Sequence, residues 1–167
     1  MKRWTKIPNF TIRAATEQDV SVILSLIRGL AQYEKLAHEV VATEDLLRTT
    51  LFGGRTVAEV ILGEIHDEPV SFALFFHNYS TFLGRPGLFI EDLYVKPQWR
   101  GKGIGSVMLA YVASLAKERK CGRLEWSVLD WNEPAWRFYK KLGATPMDGW
   151  TVHRLTGKAL ESIAADF

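Results

Sequence analysis

The stretch QWRGKGIGSVMLAYV, Gln98–Val112, sets glycine at every second position, Gly101, Gly103 and Gly105, directly behind Arg100 and around Lys102. An apolar row at helical spacing follows at once: Ile104, Val107, Met108, Tyr111, Val112, Leu115 and Ala116. Glycine tolerates positive φ, so successive backbone N–H groups can turn inward and form an anion nest. A helix N-terminus adds unpaired donors and partial positive charge. A solvated glycine corner would use the same glycines. Three of them alternating, with two cations and a helix start, favour a pyrophosphate cradle over Gly101–Ser106. The spacing of a P-loop is absent. A dinucleotide fingerprint would need glycine where Ser106 stands, and it normally opens a βαβ unit.

Working outward, Gly87–Val95 reads as the strand feeding the cradle, rich in β-branched and aromatic residues and ended by Pro97. Thr56–Ile65 and Val70–Tyr79 are strand-like runs joined at His66-Asp67-Glu68-Pro69. Phe10–Ala14 is a short strand. Thr16, with Asp19 three residues on, opens a helix to about Glu34. Thr43 caps a second helix ending near Gly53. Gly122 is expected to stop the cradle helix. Strand Arg123–Leu129, a helix from about Pro134 to Leu142 capped by Asn132 and ended by Gly143, a last strand over Trp150–Leu155 and a short helix complete the chain. The order βααβββαβαβα indicates a mixed α/β fold, a mostly antiparallel central sheet flanked by helices, in one domain over residues 1–167.

Composition agrees with a single soluble domain: 167 residues, 47% apolar and 24% charged. A formal charge of +2 argues for no nucleic acid or membrane partner. No run of about 20 apolar residues spans a bilayer. The start, MKRWTKIPNF, lacks the apolar core of a signal peptide. Cys121 is the only cysteine and reads as a structural thiol, and the four histidines show no ligand spacing, so no metal is expected. These features suggest a reducing, cytoplasmic setting.

The pattern RGKGIG, preceded by VKPQW and followed by the amphipathic helix, resembles the acetyl-CoA motif of the GNAT acetyltransferases. FTIRAAT, LIRGLAQYE, IEDLYV and WNEPAWRFYKKLGA are similar to the diamine (spermidine/spermine) N-acetyltransferase branch, which also includes thialysine acetyltransferases. The resemblance covers most of residues 10–155. It implies the acyl-CoA N-acyltransferase fold, acetyl-CoA as co-substrate, a small-molecule amine as acceptor and a homodimer. By position it implies that the backbone of Leu93, Tyr94 and Val95 holds the pantetheine arm. Arg100, Gly101, Lys102, Gly103, Ile104, Gly105 and Ser106 would hold the pyrophosphate, and Asn132, Glu133, Pro134, Ala135 and Lys141 would lie along the cofactor. Tyr33, Glu34, Glu91, Glu125, Trp126, Ser127 and Asp148 would line the amine site, and Tyr139 matches the general acid. Polyamine-acetylating relatives tend to carry an acid at about Ser80 and proline near Thr81. Ser80-Thr81 instead points to shorter amines such as thialysine.

The chemistry can be read independently. An alkyl amine with a pKa near ~10 arrives protonated and must lose a proton before attacking a thioester. Glu91 is the candidate base, and period-two alternation turns Asp92 to the other face of its strand, in a structural role. A phenol, Tyr139, could protonate the leaving thiolate. Another acceptor, such as an amino acid, aminoglycoside or protein N-terminus, or a non-catalytic acyl-CoA-binding module, would use the same cradle. The presence of both Glu91 and Tyr139 argues against the module.

Overall fold

A computed structural model describes residues 2–167. The strands are β1 (Arg3–Trp4), β2 (Phe10–Ala14), β3 (Glu59–Ile65), β4 (Glu68–Ser80), β5 (Arg85–Val95) and β6 (Leu124–Trp126). The helices are α1 (Val20–Tyr33), α2 (Glu44–Phe52), α3 (Ile104–Glu118), α4 (Glu133–Lys141) and α5 (Gly157–Ala164). The chain forms two compact units, one running to Ser127 and the other Val128–Phe167. None of the described helices is long and apolar enough to cross a membrane.

In the first unit the strands lie in sequence order, β1 to β6, antiparallel except for the parallel β5–β6 pair. The β3–β4 connection tightens to His66-Asp67, both at positive φ, the geometry of a two-residue hairpin turn. One face of the sheet carries Val60, Leu62, Phe72 and Tyr94 and packs with Ile23 and Leu26 of α1 and Leu51 of α2. The other face carries Phe75, whose ring lies 5.9 Å from the Arg119 guanidinium just after α3. Of the row read for α3, Ile104, Met108, Val112 and Ala116 are closed to solvent and Val107, Tyr111 and Leu115 are half-buried, while Leu109, outside that row, is buried as well.

Several expectations are corrected. No strand forms over Trp150–Leu155. The segment is exposed and has no ladder partner among the described residues, and an isolated extended segment cannot satisfy its backbone by itself. β6 is limited to three residues, and β1 was not foreseen. Helix α3 ends before Gly122: Lys120 takes the left-handed conformation at φ 57°, and the Cys121 N–H reaches back to the Ala116 carbonyl at 2.8 Å. A Cβ at Gly122 would stand 2.9 Å from Leu83 Cδ1, the end of an exposed side chain that can move aside. By contrast, Gly143 does terminate α4, at φ 84°.

The Thr16–Asp19 signal does more than start α1. Asp19 Oδ2 accepts from the Thr16 N–H at 2.7 Å, while Arg13 donates to both Asp19 oxygens at 2.7 and 2.8 Å. Arg13 Nε also donates to Glu64 at 2.8 Å, and Glu64 is 2% exposed. The guanidinium thus ties the entry to α1 onto β3. Arg13 first, and then the Thr16 hydrogen bonds, pull the Asp19 carboxyl down to about 2. A depressed folded-state pKa stabilises above the unfolded value of about 3.9, and that contribution is lost as pH falls through 2. Asp19→Asn should therefore cost about 2 kcal/mol in urea unfolding at pH 7, with the gap to wild type closing between pH 4 and 2. Arg13→Met should cost more, about 3 kcal/mol, because it removes the partner of Asp19 and leaves the buried Glu64 carboxylate with Lys2 Nζ, at 2.8 Å, as its one cation.

Candidate active site

The register of β4 against β5 decides which side chains meet. Leu74 pairs with Asp92 and Phe75 with Ile90, so Glu91 is an extra residue in a β-bulge. Paired residues share a face. The bulge therefore puts Ile90 on the α3 side and moves Asp92 to the α1 side with Tyr94 and Phe72. Simple alternation would have kept Ile90, Asp92 and Tyr94 together. The register therefore places Asp92 on the α1 side of the sheet. Glu91 itself is exposed.

On the α1 side Asp92 meets the end of α1. Burial first, then the neighbouring Glu91 and Glu34 carboxylates, push the Asp92 carboxyl up to about 6. Burial also raises Glu34. Tyr33 and Glu34 stand at the α1 C-terminus, which closes with Lys35 at φ 63° and the Leu36 N–H on the Ala31 carbonyl at 2.8 Å. Tyr94 packs so closely under α1 that a Cβ on Gly29 would lie 2.8 Å from its hydroxyl oxygen. Tyr33, Glu34 and Glu91 are therefore gathered in one region with Asp92, the residue that sequence reading set aside. A bulge cannot be read from alternation. The adjacent acidic pair Glu91-Asp92 was the only available hint.

Beside this cluster β5 has an open edge. β6 pairs with it only through Leu88–Leu124, Phe89–Glu125 and Ile90–Trp126, so Glu91–Val95 has no ladder partner on that side among the described residues. Such an edge can receive an extended amide-bearing chain as an added strand. The strand leads through a turn at Pro97–Trp99 to the glycines. Gly101 lies at φ 73° and Gly103 at φ 80°, in the left-handed region, with Gly103 as the N-cap of α3. Nothing stands within 4 Å of where a Gly101 Cβ would be. The cradle therefore has the open, donor-rich form that a pyrophosphate requires.

The cations differ in placement from the simple expectation. Lys102 Nζ sits 4.3 Å over the Trp99 ring. Arg100 turns from the cradle: its Nε donates to the Val95 carbonyl at 2.9 Å, and its guanidinium lies 4.1 Å over the Tyr33 ring and 5.5 Å from that of Tyr94. Glu125 is occupied, 2.7 Å from both Asn78 Nδ2 and Arg123 Nε. Trp126 is half-buried and Ser127 exposed. Ser80 is buried, and its hydroxyl accepts from the Leu83 N–H at 3.2 Å, bracing the β4–β5 turn. It lies six positions along β4 from Leu74, the partner of Asp92, or about 20 Å. The structure does not bring Ser80 to the acidic cluster within one chain.

In the second unit the Asn132 side chain accepts from the Ala135 N–H at 3.3 Å, which starts α4, and Glu133 and Pro134 occupy its first turn. Tyr139 is half-buried with its ring edge-on to Phe138 at 4.9 Å, and burial raises its hydroxyl to about 12. Lys141 and Asp148 are exposed.

Residues 28–144 match the acetyltransferase (GNAT) family. The chain belongs to that family. It is an N-acetyltransferase. It is 41% identical to thialysine N-epsilon-acetyltransferase of Bos taurus over 164 residues, covering 92% of this chain and 96% of the relative. It is 34% identical to L-ornithine N5-acetyltransferase of Arabidopsis thaliana, covering 91% and 86%. An integron cassette protein from V. cholerae superposes with a TM-score of 0.79 over 93% of this chain and 98% of that one, at 24% identity, and so shares the fold.

The cradle of this acetyltransferase depends on positive φ. Gly103→Val should strain the turn by about 1–3 kcal/mol yet leave the protein folded, since the nearest atom to the new Cβ is Ile7 Cδ1 at 3.8 Å. Acetyl-CoA affinity by calorimetry is expected to fall at least about tenfold, equivalent to ~1.4 kcal/mol. Unchanged affinity in the folded variant would remove the cradle assignment.

Proposed function

We propose that this acetyltransferase moves the acetyl group of acetyl-CoA directly onto the side-chain amine of a compact amino-acid-like acceptor, of which thialysine and ornithine are the model compounds. The observation that carries the acceptor reading is the grouping of Asp92, Glu34 and Glu91 beside the open edge of β5. Carboxylates grouped at a half-buried site favour an ammonium group. The relatives' names agree with a small amine. Both compact units together are read as one catalytic domain in a cytoplasmic protein.

Acetyl-CoA supplies an activated thioester. The glycine turn, with its two positive-φ residues, suits the pyrophosphate, and the open edge of β5 over Leu93–Val95 suits the pantetheine amides. The acceptor ammonium gives its proton to the carboxylate pair, directly or through water. Asp92 is the better base, because a pKa near 6 is closer to that of the amine and still leaves the group ionised at neutral pH. Glu91, exposed in the bulge, passes the proton toward solvent. The freed nitrogen attacks the carbonyl carbon, the C–S bond breaks, and Tyr139 gives its proton to the sulfur. A hydroxyl held near 12 remains protonated through the working range, as a general acid must.

CoA release across a panel of amines tests the whole reading: thialysine and ornithine should be turned over, and no release with any amine would overturn it. Tyr139→Phe should cut kcat by about 10²–10⁴-fold with acetyl-CoA affinity unchanged. Wild-type kcat at saturating substrate should fall as pH drops through about 6, where Asp92 takes up a proton, and Asp92→Asn should abolish that acid limb along with most of the rate.

A homodimer is part of the same reading. Trp150, Val152, Leu155, Leu160 and Ile163 are all more than half exposed, a density of bare apolar side chains that a second copy would cover. Light scattering at micromolar concentration should give a dimer mass, and Val152→Asp combined with Ile163→Asp should shift it to monomer.

A further inference from the structure

We propose that the N-terminal arm, Lys2–Phe10, belongs to the acetyl-CoA site, with Ile7 as a positioning residue that backs the glycine turn. The proposal rests on the cradle assignment above and adds to it a segment outside the family match, which covers residues 28–144. A glycine turn needs support from elsewhere, because glycine loses more conformational freedom on ordering than any other residue. Nothing stands within 4 Å of where a Gly101 Cβ would be. At Gly103 one atom outside the turn and α3 comes within that distance among the described residues, Ile7 Cδ1 at 3.8 Å. Gly103 is the N-cap of α3 and sits at φ 80°, so the contact falls on the residue whose left-handed conformation shapes the cradle.

The arm is itself held in place. Lys2 Nζ lies 2.8 Å from Glu64 Oε2 and also pairs with Asp67. β1 sets Arg3 against Ile12 and Trp4 against Thr11. Beyond β1, the Thr5 hydroxyl donates to the Phe10 carbonyl at 3.0 Å and accepts from the Ile7 N–H at 3.1 Å. The Phe10 N–H returns to the Ile7 carbonyl at 3.1 Å, and Asn9 turns the chain at φ 59°. Lys6, Pro8 and Asn9 are exposed, whereas Ile7 among them is half-buried. One apolar side chain is thus carried by a hydrogen-bonded loop to the N-cap of α3. Backbone donors bind an anion best when their geometry is set beforehand, since the cost of ordering them is then not taken from the binding energy. Ile7 limits the motion of Gly103 while offering neither a donor nor a charge of its own.

Calorimetry with CoA and steady-state kinetics with acetyl-CoA test this on four variants of the full chain. Ile7→Ala removes the contact, and Ile7→Val deletes the contacting methyl alone at less risk to the fold. Ile7→Leu keeps an apolar group of the same size, and Lys6→Gln removes the exposed cation beside it. In Ile7→Ala the Kd for CoA and the KM for acetyl-CoA should rise about three- to tenfold, the range expected when about one group must be ordered on binding. The kcat and the KM for the amine should change less than about twofold. Ile7→Val should show a smaller loss of the same kind, Ile7→Leu should recover most of it, and Lys6→Gln should bind CoA like the wild type. Urea unfolding is followed in parallel. Lowered stability with unchanged affinity for CoA would make Ile7 an ordinary packing residue and overturn the proposal. An equal loss in Lys6→Gln would also overturn it, because the arm would then act by charge on a phosphate. If wild-type protein does not bind CoA, the cradle assignment falls and the proposal with it, whereas wild-type binding that the Ile7 variants leave unchanged removes the proposal alone.

Discussion

One extra residue in β5 organises the first unit. Antiparallel pairing with β4 forces each residue of β5 onto the face of its partner, and the partner of Asp92 is Leu74 rather than a residue of the α3 side. Without the bulge, Tyr94 would face α3, and the contact between its hydroxyl and α1 at Gly29 could not form. Asp92 would leave the neighbourhood of Glu34. The same stretch is where β6 stops pairing, so the bend in β5 and the open edge occur together. A β-bulge increases local twist, which is a physical reason for neighbouring strands to diverge there. The acidic cluster, the seat for Arg100 and the edge available to an extended ligand all follow from that insertion.

The proposed base and the proposed acid sit in different environments. Asp92 is half-buried beside other carboxylates, so its charged form is disfavoured both by lost solvent and by repulsion, and its pKa rises to about 6. Tyr139 has no such neighbours among the causes of its shift; burial by itself raises it to about 12. A carboxylate near 6 accepts a proton more readily than one near 4, so the first shift suits a base. A phenol near 12 stays protonated at neutral pH, but a thiolate, whose thiol has a pKa of about 8.5, is the weaker base, so the second shift keeps the proton in place and does not itself drive the transfer.

What the sequence revealed follows from which forces are local. The glycine turn, the Thr16–Asp19 entry to α1, the Thr43 and Asn132 caps and the Gly143 stop were legible because each depends on a few adjacent residues. So were the apolar rows of α1 and α3. The bulge was not, because it is a property of two strands in register, and neither strand marks it with glycine or proline at Glu91. Lys120 ended α3 in a conformation where glycine was expected, two residues before the available glycine. The Trp150–Leu155 segment has the composition of a strand, but a strand is defined by its partner, and none is present in the chain's own sheet. The stacking of Arg100 on Tyr33 was not legible either, because it involves a residue far away in sequence.

The distribution of charge also bears on acceptor length. A polyamine carries an ammonium every few carbons, and each buried charge needs its own partner or water. In the first unit the carboxylates near the open edge are concentrated at Glu34, Glu91 and Asp92. Glu125 is already neutralised by Arg123. Farther along the same sheet face, Ser80 is turned into its own hairpin through Leu83. A second or third ammonium leaving the cluster along β4 would meet Phe76 packed on Phe89, not an anion. The charge pattern therefore offers one compact seat for an ammonium and no second anion along β4 in that direction.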